Sequence, residues 1–391
     1  MIILKAVHFG AGSIGRGFIG DLLFESGYEI TFVDIDEKII KQINRTNSYD
    51  LFIIEDDYHK KSIYNVQAVS SFEEDTVTTK IMEADIITTS VWADNLSKIA
   101  PSILKGLRVR QQEGKPKINI ITCENALGNS DLLKKYILDC NIIPQEELAD
   151  LAAFPNTAVD RLVLENIKDG TAVINIGKDY ELVIEKNKLV NLHNLPLKNA
   201  IYTDDLQKYV EKKLFIINGG HAWAGYIGHL HGYKIIQDVF YNDELVHEVR
   251  EVMLECANLL VKKHSFSKKE LEDYIAFAIG RFKTPGIKDT ISRVSRSPIR
   301  KLSPTDRLVG PAMECEKFHI KNDYLIKGIA AAFLFENSKD DQANELNTYI
   351  KNNGIDNAIT KYTSIPVDSA LFGRILDNYF EMKKIKNEIR S

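Results

Sequence analysis

The chain has 391 residues, 44% of them hydrophobic and 27% charged, with a formal net charge of −5. That length exceeds what one hydrophobic core usually serves, so two globular domains are expected, and the balance of residue types excludes a disordered chain. Charges of both signs are interspersed, which speaks against a nucleic-acid partner and against a membrane-binding polybasic patch.

In chain order, residues 3–9 form a nearly continuous apolar run that ends in a glycine turn. Too short for the apolar region of a signal peptide, the run reads as a strand, and the protein is expected to be cytoplasmic. No apolar run approaches the roughly 20 residues needed to cross a bilayer. Residues 14–26 read as a helix, 29–33 as a second strand, and 36–46 as a helix capped by Asp36. Residues 51–54 and 62–66 suggest a small antiparallel excursion. The apolar runs 85–90 and 117–122 suit strands buried on both faces by crossover helices, and 150–154 is expected to close the same sheet. Residues 171–184 alternate around Gly177 and Lys178, which predicts a β-hairpin. Beyond about 200 the long stretches 242–263, 267–282 and 321–336 have helical periodicity. The expected architecture is an α/β Rossmann domain over 1–200, doubly wound and mainly parallel with a hairpin extension, followed by a mainly α-helical catalytic domain over 201–391. Four scattered cysteines, Cys123, Cys140, Cys256 and Cys315, form no CxxC pair. Buried thiols are expected rather than a zinc site or a disulfide framework.

Gly10-Ala11-Gly12-Ser13-Ile14-Gly15 fits G-x-G-x-x-G. Alone the spacing is weak, but it follows the apolar strand ending at Phe9 and opens a helix, as a dinucleotide site requires. Gly10 permits the tight turn, Gly12 lets a pyrophosphate approach the backbone, and Gly15 allows close helix–strand packing, with the helix N-terminus facing the phosphates. Asp34 ends the second strand 19 residues after Gly15. A carboxylate there accepts hydrogen bonds from ribose hydroxyls and repels a 2′-phosphate, so NAD is the expected cofactor. Ser90 and Val91 end one later strand, and Glu124 and Asn125 follow another. These positions line the crevice at strand carboxyl ends, with Asn125 within reach of nicotinamide or substrate, although turn-forming polar residues are an equal reading.

The reaction has to come from elsewhere. Lys213, Asn218 and His221 form Lys-x4-Asn-x2-His in an apolar setting. At about 100° per residue on a helix, Asn218 lies about 140° and His221 about 80° around from Lys213, so the three share one broad face. An ammonium in a partly apolar wall loses its proton more readily, as a general base must, and Asn and His beside it can hold the reacting oxygen. By spacing alone a solvated lysine, a core histidine and an asparagine cap are the commoner readings. Arg293, Arg296, Arg300 and Lys301 put four basic groups in nine residues. This is either a phosphate-binding set with Arg296, Arg300 and Lys301 as candidates, or a solvated basic stretch.

The Lys213–Asn218–His221 pattern resembles the signature of the long-chain polyol-specific dehydrogenases. The segments HFGAGSIGRGFIG, ADIITT, ITCEN, AVDR, KLFIINGGHA, RKLSPTDRL and LIKGIAAA are together similar to the mannitol-1-phosphate 5-dehydrogenase branch of that family, from about residue 5 to residue 350. The resemblance implies metal-independent, NAD-linked interconversion of a hexitol phosphate and a ketose phosphate, with mannitol 1-phosphate and fructose 6-phosphate as first candidates. It also implies Lys213 as general base and acid, Asn218 and His221 on the reacting oxygen, and a small-molecule substrate for a monomer or weak homo-oligomer. Three departures stand out. Trp92 occupies a usual glycine position, Gly219-Gly220 replaces Thr-Gly and is expected to loosen the helix, and Asp179-Tyr180-Glu181-Leu182 replaces the usual Glu-Trp. A dehydrogenase of an unphosphorylated polyol or hexuronate, and a non-catalytic NAD-sensing module, are the competing readings.

Overall fold

The computed structural model describes residues 3–54, 58–168, 171–284 and 289–390. The chain divides into two compact units, Met1–Tyr209 and Val210–Ser391.

The first unit is built on a parallel sheet. Its strands are β1 (Leu4–Phe9), β2 (Tyr28–Asp34), β5 (Val66–Ser70), β6 (Ile86–Thr89), β7 (Ile118–Thr122) and the short β8 (Ala152–Ala153). They lie in the order β5-β2-β1-β6-β7-β8, every neighbouring pair parallel. The order reverses between β1 and β6, and a crevice opens there at the carboxyl ends of an open α/β sheet. Because successive strand residues point to opposite faces, Val7, Phe9 and Val33 pack with Ile87, Ile103, Leu107 and Leu133 on one side, while Ala6, Ile30 and Phe32 pack with Phe18 and Leu22 on the other. The latter side is closed by a second sheet formed by β3 (Ser48–Ile53), β4 (His59–Tyr64), β9 (Thr157–Lys168), β10 (Thr171–Glu185) and β11 (Ile201–Thr203).

Several expectations change. Residues 171–184 are not a hairpin about Gly177 and Lys178. They form one strand, β10, antiparallel to β9, and the register shifts between Ile176 and Tyr180. The glycine signal marked an irregularity inside a strand, which a bulge explains as readily as a turn. The residues that join β9 to β10 lie outside the described residues. Residues 62–66 also divide: 62–64 pair antiparallel in β4, whereas Val66 opens β5 of the parallel sheet. Residues 201–203 pair with β10, so the first unit continues past residue 200.

Among the described residues, every regular element lying wholly within the second unit is helical. Its centre is the helix Gly219–Leu230, buried along nearly its whole length. The helix Asp243–His264 packs against it through Met253, whose Cε would stand 2.2 Å from a Cβ at Gly220. The double glycine expected to loosen this helix therefore admits a close neighbour. Among the described residues, no helix is long and apolar enough to cross a membrane.

Candidate active site

The glycine turn is determined by its backbone. Gly10 has φ +102°, and a Cβ there would stand 2.7 Å from the Ser90 carbonyl. At Gly15 a Cβ would fall 1.8 Å from the Gly10 carbonyl, so both positions exclude any other residue. Gly12 faces open space, which is the cradle a pyrophosphate needs. The carboxylate of Asp34 closes the turn from β2. Its Oδ2 accepts from Ala11 N at 2.5 Å, and its Oδ1 accepts from Ile35 N and Asp36 N. The Ser13 hydroxyl donates to Glu165 on β9, and Ile14 is exposed. The side chain of Phe9 is buried away from the crevice, and only its carbonyl takes part, accepting from Ser90 N. These residues fit a bound NAD: the cradle is open, and a carboxylate stands at the end of β2.

Behind the turn lies polar machinery that the motif did not single out. Arg16 is buried. Its Nε donates to the Ala11 carbonyl, its Nη2 stands 3.5 Å from Glu165, and that Nη2 has no hydrogen-bond partner. His8, on β1, bridges Thr88 Oγ1 at 2.7 Å and Ser90 Oγ at 2.9 Å, and burial pushes its pKa down to about 3. Neutral His8 thereby fastens the carboxyl end of β1 to that of β6. Glu124 is buried as well, its carboxylate accepting from Thr89 Oγ1 and from Val91 N, and burial raises its pKa. It joins the ends of β6 and β7, while the neighbouring Asn125 is exposed. Asp21 on the glycine-turn helix meets Arg161 at 2.6 Å and Lys61 at 2.7 Å, which ties that helix to the second sheet. The sequence signals were present: a histidine in an apolar strand, and hydroxyls at 88 and 90, two residues apart on one face of a second strand.

In the second unit, Lys213–Asn218 is a turn of π-helix between Leu206–Lys212 and Gly219–Leu230. The α-helical angles expected for this segment therefore do not apply. With a hydrogen-bond spacing of five residues, Asn218 follows Lys213 by about one turn, nearly above it. Lys213, Leu214, Asn218 and His221 are partly exposed, whereas Phe215–Ile217, Gly219–Gly220 and 222–228 are buried. His221 stacks on Phe282 with centroids 4.4 Å apart. Burial pushes its pKa down to about 3, opposed by Asp289 and assisted by Arg293, Lys301 and Arg281. The imidazole is neutral and sits beside cations.

The basic cluster is divided by exposure. Arg293 forks onto the carboxylate of Asp289. Arg296 is exposed and lines a surface cleft with Arg293, Ser297, Lys339 and Asp340. Arg300 is exposed too, its backbone N donating to Gln342 and its carbonyl accepting from Ser303 N. Lys301 turns inward, its Nζ donating to the carbonyls of Val294 and Arg296, and burial lowers its pKa to about 7. Among the described residues, no group of three or more His, Cys, Asp or Glu side chains is arranged to hold a metal ion, and the four cysteines are unpaired.

Residues 4–197 match the mannitol dehydrogenase Rossmann domain and residues 205–382 the mannitol dehydrogenase C-terminal domain. The chain belongs to the mannitol dehydrogenase family. It is 40% identical over 387 residues to the mannitol-1-phosphate 5-dehydrogenase of Thermoanaerobacter pseudethanolicus, covering 98% of this chain and 99% of that one. The Geobacillus stearothermophilus enzyme of the same name is 37% identical over 383 residues, covering 97% of this chain and 100% of that one. Among solved structures, Pseudomonas fluorescens mannitol 2-dehydrogenase in ternary complex with NAD and D-mannitol aligns with a TM-score of 0.71 at 17% identity, over 99% of this chain and 94% of that chain. A substrate-free D-sorbitol dehydrogenase gives 0.80 at 16% identity, over 99% and 95%. At these identities the structures speak to the fold alone. Family membership makes the chain an NAD-dependent oxidoreductase of the polyol dehydrogenase class.

Proposed function

We propose that the chain interconverts a hexitol phosphate and a ketose phosphate, with mannitol 1-phosphate and fructose 6-phosphate as the pair, the first unit holding NAD and the second the catalytic groups. The carrying observation is that Lys213, Asn218 and His221 are the polar side chains that reach the surface along a stretch otherwise buried from 215 to 228. Full-length relatives named for mannitol 1-phosphate support the choice of substrate.

When bound, NAD supplies the hydride acceptor for oxidation and the hydride donor for reduction. Lys213 takes the proton from the substrate hydroxyl in oxidation and returns one to the carbonyl oxygen in reduction. Asn218, about one π-turn away, donates its amide hydrogen to that oxygen. Neutral His221 offers a second N–H without adding charge, so both are oriented before negative charge develops. The cations around Asp289 and His221 supply the field a phosphorylated substrate requires, and exposed Arg296 and Arg300 are the candidates for direct phosphate contact, with Lys301 placed behind them.

The test is NADH-linked reduction of fructose 6-phosphate against fructose, paired with oxidation of mannitol 1-phosphate against mannitol. Selective turnover of the phosphorylated pair is expected, and a preference for the free sugars would refute the phosphate assignment. Lys213→Ala is expected to lower kcat by about 10²–10⁴-fold with NADH affinity intact. Unchanged turnover would remove Lys213 from the mechanism.

A further inference from the structure

Trp92 has φ +70° and ψ 144°, a backbone region that only glycine enters without strain. The other non-glycine residues of positive φ among those described are all Asn, Ser or His. The conformation is clamped from both sides. Val91 N donates to Glu124 Oε1 at 2.9 Å, Asn95 Nδ2 donates to the Val91 carbonyl at 2.7 Å, and Asn95 N donates to the Trp92 carbonyl at 3.0 Å. Despite the strain, the position holds the largest side chain available, and that side chain is 81% exposed. Neither local packing nor backbone geometry accounts for an indole there.

Its place in the sheet does. The glycine turn sits at β1 and the ribose-binding Asp34 at β2. Strand β6 lies on the opposite side of β1, so the nicotinamide half of the dinucleotide extends over the ends of β6 and β7. Trp92 is three residues beyond β6. Leu127, five residues beyond β7, is 71% exposed. We propose that Trp92 is a cofactor-contacting residue whose indole covers the bound nicotinamide ring, with its strained, clamped backbone holding it over the end of the crevice. Planar aromatic faces favour offset stacking, and the indole removes both surfaces from water on contact. The inference rests on the NAD-linked reading of the site and adds to it a wall where a glycine would leave an opening.

The experiment compares NADH with ADP-ribose, which lacks the nicotinamide, by calorimetry on the full-length chain. Trp92→Gly is expected to weaken NADH binding by about three- to ten-fold and to leave ADP-ribose binding unchanged, while Trp92→Phe keeps most of the NADH affinity. Fluorescence provides a second reading, because the chain has two tryptophans and the other, Trp223, is fully buried with its Nε1 on the Tyr324 carbonyl. The emission lost on going to Trp92→Phe is that of Trp92. That component is expected to be strongly quenched by NADH, through energy transfer to the reduced nicotinamide, and untouched by ADP-ribose. An NADH to ADP-ribose affinity ratio unaltered in Trp92→Gly, with no NADH-specific quenching of the Trp92 component, overturns the proposal and leaves the cofactor site intact. Failure of the unmodified chain to bind either ligand overturns both.

Discussion

Replacing His8 by Gln tests the linkage between β1 and β6 through its pH dependence. In the folded chain the imidazole is buried between Thr88 and Ser90 with a pKa near 3, against an ordinary 6.5. Between those values the unfolded chain binds one more proton than the folded chain, so stability rises with pH. The contribution is fully present above 6.5 and is lost as pH falls toward 3, at about 1.4 kcal/mol per pH unit. Going from pH 7 to pH 5 is therefore expected to cost the unmodified protein about 2 kcal/mol that His8→Gln does not lose. The assay is native-state hydrogen exchange read on peptides covering 4–9 and 86–90, which isolates the first unit from His221, whose pKa is depressed in the same direction. The protection gap between the two proteins should narrow by about 30-fold over that interval, 2 kcal/mol expressed as an equilibrium constant. A gap that stays constant would show that His8 titrates normally in the folded state and would refute the argument.

Three further outcomes are expected. Asp34→Ser removes the carboxylate that repels a 2′-phosphate, and should shift the ratio of NADP to NAD affinity upward by about ten-fold or more, measured as kcat/KM for each cofactor. Gly15→Ala puts a methyl 1.8 Å from the Gly10 carbonyl, and should lower stability by about 3 kcal/mol while abolishing NADH binding in calorimetry. Trp92→Gly relieves about 1–3 kcal/mol of backbone strain against about 1 kcal/mol of added chain entropy, so the melting temperature should hold or rise; a clear fall would contradict the strained geometry.

Much of the first unit was legible because its chemistry is local. A glycine turn, an acidic strand end and apolar runs at regular spacing are sequence-near features, and they yielded the parallel sheet and the helix cap at Asp36. The second sheet was harder. Besides its sequence neighbours β9 and β11, strand β10 takes β3 as a partner from more than a hundred residues earlier, and no local pattern reveals such long-range pairing. Gly177 therefore looked like a turn when it marked an irregularity. Arg161 and Glu165 were unreadable for the same reason: their partners Asp21, Ser13 and Arg16 lie some 140 to 150 residues earlier. In the second unit, periodicity located the long helices, while the π-turn at 213–218 has no signature that a helical wheel can show.

That π-turn makes the proposed base a matter of phase. Such a turn is an α-helix carrying one surplus residue, and the helix downstream of it is locked by packing on both sides. Straightening the segment into ordinary α-helix at unchanged length would leave Asn218 about 140° around from Lys213, whereas deleting one residue between them, Leu214 for instance, would make the pair i and i+4 of an α-helix and keep both on one face. Loss of the turn at full length would spare the buried helix while turning the lysine away from Asn218. What the stretch must preserve is thus the number of residues per turn as well as their size. The glycine-turn helix carries a second such surplus residue at Gly15–Ile19, so each unit holds a one-residue offset beside its proposed site.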